Sequence, residues 1–214
     1  MTGVTRWWWV RHASVVGNGG RIHGHNDVPC DTSDTRAFQA LAAALPADAV
    51  WVTSHLARAV ATAKAITAAG VPARLSIVER DLAEQNFGRW QGLRWKDVDA
   101  ADDPASKAFW RAPGLNAPPG GESFADLARR VAAVMGRLTA EHAGADIVAV
   151  THGGTIRGAL TLALELDPGQ ALSIKVDNLS LTRINHVGDA VAARRGGAWR
   201  VVGVNVPVVS QFEI

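Results

Sequence analysis

The 214-residue chain has no tyrosine, a single cysteine, no long apolar run and no cluster of basic residues. Each absence removes a class of explanation. One cysteine, Cys30, makes neither an internal disulfide nor a cysteine-rich zinc site, and suits a reducing compartment. The apolar run near the start, Trp7 to Val10, is four residues long and is closed by Arg11. That is too short for a signal-peptide core or a membrane span, and no later stretch approaches a span. The expectation is a cytoplasmic protein without a membrane partner. The missing tyrosine bears on charge. Lys plus Arg number 22 and Asp plus Glu 20, a surplus of two, yet the pI is about 9.1. With no tyrosine and one cysteine, almost nothing titrates between histidine and lysine, so two charges carry the pI far upward. The pI is therefore no sign of nucleic acid, and without a basic run no nucleic-acid partner is expected.

What the chain does have is globular. Hydrophobic residues make up 48% and charged residues 20%, and the length suits one domain over residues 1–214. No repeat of fixed period is visible. Arg6 to Val10, Ala49 to Thr53 and Asp146 to Thr151 read as buried strands. Ser54 reads as an N-cap for the helical spacing that follows it. His152-Gly153-Gly154 leads into a second helical run, and Ser123 with Asp126 opens a long helix through about Glu141. Asp34 to Leu45 supplies another. Strands alternating with helices predict an α/β fold of three layers, with a mostly parallel central sheet flanked by helices. Leu179 to Asn185 and Trp199 to Asn205, with a turn at Gly196-Gly197, predict an antiparallel margin. Residues 93–121 are rich in turn formers and read as a lid-like insertion.

In an open α/β sheet, ligands sit beyond the carboxyl ends of the strands. Three predicted strands end in polar residues: Arg11-His12, Ser54 with Arg58 one helical turn on, and His152-Gly153-Gly154. Taken singly, each has an ordinary structural reading, a capped surface histidine or a solvated arginine. Their shared placement is what points elsewhere. Two histidines and two arginines beside helix N-termini would bind a doubly charged anion, most simply a phosphoryl group. Gly153 and Gly154 would let backbone N–H groups come close to its oxygens. A carboxylate is needed to move protons, and Asp81 and Glu84 are equal candidates on chemistry alone.

The blocks Arg11-His12, Ser54 to Arg58, Glu84 to Gly92 (EQNFGRWQG), Gly120 to Phe124 (GGESF) and Thr151 to Gly154 stand in this order at fitting intervals. Together they resemble the histidine phosphatase superfamily, with its phosphoglycerate-mutase-like fold. The resemblance implies that His12 is a nucleophile that becomes a phosphohistidine. It implies that Arg11, Arg58 and His152 hold the phosphoryl oxygens and that Glu84, rather than Asp81, donates the proton. Asn18 and the Gly153 N–H are implied phosphate contacts, and no metal or other cofactor is called for.

Ala13-Ser14 departs from the Gly-Glu found in many members. Mutases of the family that depend on a bisphosphoglycerate cofactor carry a tyrosine within the block that here reads Glu84 to Gly88. They also carry paired arginines in the next insertion, where only Arg111 stands nearby. The resemblance thus favours the phosphatase branch, similar to α-ribazole phosphatases, acting on a small phosphorylated metabolite. A cofactor-dependent phosphoglycerate mutase is the alternative. A phosphate-binding or regulatory module without turnover is the alternative of another class.

His23-Gly24-His25 with Asp27 has the residue types of a metal cluster but no fourth ligand, and Gly24 signals a turn. His23 and Gly24 are expected at the substrate mouth instead. Glu122 and Ser123 either touch substrate or simply start a helix. Cys30 has no base beside it to make it a nucleophile. Of the eight tryptophans, Trp7 to Trp9 and Trp51 belong to the predicted strands. Trp90, Trp95 and Trp110 fall in or beside the lid, where a flat apolar substrate group could stack.

Overall fold

The computed structural model describes residues 3–73, 75–100, 103–188 and 198–208. A six-stranded sheet runs through it in the order β3-β2-β4-β1-β5-β6. The strands are β1 Thr5–Arg11, β2 Val50–Thr53, β3 Leu75–Val78, β4 Asp146–Thr151, β5 Leu181–His186 and β6 Trp199–Val206. The first four pair in parallel. The other two form the antiparallel margin, as the alternating pattern near the C-terminus predicts. The Gly196-Gly197 turn lies outside the described residues. The short strand β3 is missed by sequence reading, because LSIV lacks the bulky run that marks its neighbours.

Helices α1 Thr35–Ala44 and α2 Ala57–Ala68 cover one face of the sheet, and α5 Phe124–Glu141 and α6 Gly153–Leu164 cover the other. β1 shows why both faces must be covered. Side chains of a strand alternate, so Trp7 and Trp9 share one face, stacked at 4.9 Å and fully buried. Trp8 turns to the other, where its Nε1 donates to Asp146 and the Arg183 guanidinium lies 4.1 Å over its ring. Burying a ring of this size removes about 150–250 Å² from water, worth about 4–6 kcal/mol in transfer terms. Three tryptophans, Trp7, Trp9 and Trp51, fix the sheet in this way.

Two helix starts differ from the sequence reading. Ser123 and Asp126 do form a reciprocal capping box on α5. Ser54, however, does not cap α2, which begins three residues later at Ala57. The first N–H of α2 is taken by Asp27 Oδ1 at 2.7 Å, and Ser54 is left for another partner. The segment 93–121 also holds more than turns. It contains α3 Trp95–Ala100 and α4 Pro104–Arg111. Asp103 caps α4 through Ala105 N–H with Pro104 in the first turn, so residues that look like turn formers are here a helix start. Val98 and Phe109 of this segment pack with Ile22 and Trp90 in a small separate core. A four-residue helix, α7 Pro168–Ala171, follows α6. Among the described residues no helix is long and apolar enough to cross a membrane.

Candidate active site

The register of the sheet places the strand ends side by side. Arg11 at the end of β1 pairs with Thr151 at the end of β4, and Thr53 of β2 pairs with Val150. The next residues, His12, His152 and Ser54, therefore meet. The His12 and His152 rings are 5.1 Å apart, and Ser54 Oγ lies 2.7 Å from His152 Nε2. Above them opens a cleft of about 330 Å³ whose wall includes Arg11, His12, Arg58 and Glu84.

His12 is held on every side. Its N–H donates to Thr151 O, its carbonyl accepts from Asn178 Nδ2, and the Ala13 N–H that follows donates to Thr62 Oγ1. The ring Nδ1 is 2.7 Å from Ala13 O. A carbonyl only accepts, so Nδ1 carries the hydrogen and Nε2 keeps its lone pair. Burial, opposed by the Ala13 carbonyl and reinforced by Arg58, Arg11 and His23, lowers the imidazole pKa to about 3. His152 is fully buried and is driven well below its ordinary value, first by burial and then by His12, Arg58 and Arg11. It is thus a neutral neighbour behind His12 near neutral pH, and the positive charge of the site comes from guanidinium groups.

Arg58 is buried, and its two terminal nitrogens donate to Asn26 O and Gly24 O. Arg11 donates through one terminal nitrogen to Val176 O. Its Nε and His152 Nδ1 are buried without a hydrogen-bond partner among the described residues. Orphaned polar atoms of this kind are costly unless a ligand supplies partners. Gly153, expected as a phosphate contact, lies against the Arg11 guanidinium. Asn18 and His23 both line the cleft, and His23 Nε2 bonds Asn18 Oδ1 at 2.9 Å. That bond engages the Asn18 amide oxygen and not its nitrogen. Gly24 lies at φ +49, and a Cβ there would overlap the Gln91 carboxamide. Its contribution is the carbonyl that fixes Arg58.

Glu84 sits at the N-terminus of α6. Its Oε1 accepts from Gly154 N–H at 3.0 Å and from Gln85 N–H at 2.9 Å. A Cβ on Gly154 would overlap that oxygen, so the second glycine is required for close approach. The segment around Glu84 is clamped by Arg130, which donates to the carbonyls of Asp81, Ala83 and Glu84. Both carboxylate oxygens of Glu122 are engaged, by Arg130 and by Asn86 N–H. Glu122 thus acts on the Glu84 segment rather than lining the cleft, and Ser123 is occupied in its capping box. His25 Nε2 lies 2.8 Å from the Glu84 carbonyl, and Asp27 caps α2, so neither points to a metal.

Three residues went unnoticed in the sequence. Asn178 steadies the His12 carbonyl, Thr62 the turn after it, and Arg157 lines the cleft with Nε on Ile174 O. Arg157 stands four residues after Gly153 in α6, hence on the face of the helix that starts the site; that spacing was the available signal. Asn178 had none, because it reaches the site from a loop 166 residues away from His12.

Because His12 and His152 bind protons more weakly in the fold than in the unfolded chain, their contribution to stability is present above about pH 6.5 and is expected to decline as pH falls toward the His12 pKa of about 3. Urea unfolding between those values should show the decline, with a shallower slope in His12→Asn. An unchanged slope would mean that burial of His12 does not govern its titration.

Residues 7–198 match the model of the histidine phosphatase superfamily, branch 1. The chain is 35% identical over 144 residues to a bifunctional protein of Mycobacterium tuberculosis, covering 67% of this chain and 39% of that protein. It thus spans well under half the length of that relative. It is 34% identical over 207 residues to a glucosyl-3-phosphoglycerate phosphatase of Mycolicibacterium vanbaalenii, covering 91% of this chain and 85% of the relative. The α-ribazole phosphatase of Shigella flexneri has the same fold, with a TM-score of 0.79 and 21% identity over 95% of this chain and 98% of its own. With the strand-end histidines, the paired arginines and the matched sequence over nearly its whole length, the chain belongs to the histidine phosphatase superfamily, branch 1.

Proposed function

We propose that the protein is a phosphomonoester hydrolase that works through a phosphohistidine on His12, acting on a small phosphorylated metabolite. The observation that carries this is the state of His12: its Nδ1 is committed to Ala13 O, which leaves Nε2 with a lone pair in a cationic cleft. In the first step Nε2 bonds to phosphorus as the bond to the ester oxygen breaks, and Glu84 gives its proton to the departing oxygen. In the second, Glu84 takes a proton from water, the water oxygen bonds to phosphorus, and the phosphorus–nitrogen bond breaks. Neutral His12 and protonated Glu84 are restored with release of phosphate. Arg11, Arg58 and the Asn18 amide offset the charge on the transferring group, which is where catalysis of phosphoryl transfer mainly lies.

The cations are built into the chain, so the reaction needs no metal. The segment 93–121 acts as a lid over the cleft. The single cysteine, Cys30, fits a reducing cytoplasmic setting. The test is phosphate release from p-nitrophenyl phosphate and from a panel of metabolite phosphates in EDTA. Turnover is expected; no release from any of them would overturn the reading in favour of a binding module. Interconversion of 2- and 3-phosphoglycerate that depends on bisphosphoglycerate would instead make it a mutase.

A further inference from the structure

A second cavity of about 270 Å³ adjoins the phosphate cleft. The two share Glu84, Phe87, Trp95 and Arg157 as a common wall. The second cavity is walled by Phe87, Trp95, Phe109, Trp110, Phe124 and Leu172. The rings brace one another: Phe87 meets Trp95 edge-on at 5.4 Å, and Trp95 lies 5.7 Å from Trp110. Trp110 is pinned by its Nε1 to Asp99, yet 48% of it remains exposed. A large aromatic side chain anchored by its polar edge with its face open is a typical binding surface.

The polar groups of this chamber are few and gather at the wall it shares with the phosphate cleft. Gln85 Nε2 donates to Glu122 O, and Glu84 Oε1 already accepts two N–H groups. Arg157 uses Nε on Ile174 O. Against these apolar walls a polyhydroxylated group would lose more hydrogen bonds to water than the few polar groups beside Glu84 and Arg157 could replace. A flat apolar group would lose only unfavourable hydration.

We infer that this chamber receives the alcohol portion of the substrate, and that the protein selects phosphomonoesters whose alcohol carries an aromatic or other flat apolar group. The inference rests on the phosphomonoesterase reading, because Glu84 as proton donor must face the leaving oxygen and stands at the boundary of the two cavities. The alcohol therefore extends past Glu84 into the aromatic chamber while phosphorus stays by His12.

The test compares ligands that differ only in the apolar group. Calorimetry with 4-phenylbutylphosphonate and butylphosphonate, neither of which can be hydrolysed, is expected to give about 10- to 30-fold tighter binding of the phenyl compound. In Trp110→Ala that ratio falls to about 2 or less; Trp110 is half-exposed, so its removal spares the core. In turnover, 3-phenylpropyl phosphate is expected to exceed both propyl phosphate and glycerol 3-phosphate in kcat/KM, chiefly through KM. All three release a primary alcohol. Equal binding of the two phosphonates, a ratio untouched by Trp110→Ala, or a preference for glycerol 3-phosphate would overturn the inference. Tight, Trp110-dependent phenyl binding without hydrolysis of any ester would support the chamber and overturn the catalytic reading instead.

Discussion

Replacing His12 with alanine is expected to lower kcat by about 10⁴-fold or more, the range seen when a covalent nucleophile is removed. His12 is buried and tied at its N–H, its carbonyl and Nδ1, so only Nε2 is available to a ligand. Without that nitrogen, the arginines still gather a phosphoryl group, but water alone must attack it. Binding of inorganic phosphate should therefore persist while turnover collapses. Rapid quenching with labelled substrate should trap a protein-bound phosphate that survives base and is lost in acid, as a phosphorus–nitrogen bond is. The label should vanish in the variant. Wild-type turnover in His12→Ala, or a label that persists, would show that another group takes the phosphate.

Glu84→Gln carries the second large effect, and its signature is selective. General acid catalysis is worth about 10²- to 10⁴-fold, but only where the departing oxygen needs a proton. Alkyl phosphates should lose that full amount, whereas p-nitrophenyl phosphate, whose phenolate leaves unaided, should lose far less. The structure adds an independent route to the same result. Gly154→Ala would place a methyl group on Glu84 Oε1, and the flexible carboxylate would move in preference to the helix backbone. Gly154→Ala should then reproduce the leaving-group pattern of Glu84→Gln with Glu84 still present. Equal losses for alkyl and nitrophenyl esters in both variants would remove Glu84 from the role of acid.

Much of the fold is legible in the sequence because it rests on local patterns. The runs at Trp7, Trp51 and Ile147 have the bulk and length of buried strands, and Ser123 with Asp126 is a capping box that requires only neighbours in the chain. The failures have a common cause: residues whose partners are remote in sequence. Ser54 looks like an N-cap, but Asp27 takes that task from a loop, and Ser54 turns to His152, 98 positions away. Of the two readings open for Glu122, substrate contact or helix start, neither foresees that Arg130 and the Asn86 N–H occupy its carboxylate. Arg157 and Asn178 look like ordinary helix and loop residues.

The order of residues along the chain sets the chemistry on offer. It supplies two histidines directly after strands, an arginine at the end of one strand and another a helical turn beyond a second, and a charge surplus of only two that concentrates meaning in one place rather than over the surface. The lack of tyrosine gave the flat titration curve. The resemblance of five ordered blocks chose Glu84 over Asp81. The state of those groups is set by the folded arrangement. Parallel pairing of β1 with β4 sets His12 beside His152, burial makes both imidazoles neutral, and the Ala13 carbonyl selects which nitrogen of His12 is free. Close approach of Glu84 to Gly154 fixes the carboxylate at a helix end, and packing of α3 and α4 builds the aromatic chamber. Protonation, tautomer and cavity shape depend on desolvation and on contacts between distant segments, and these come into being only when the chain closes on itself.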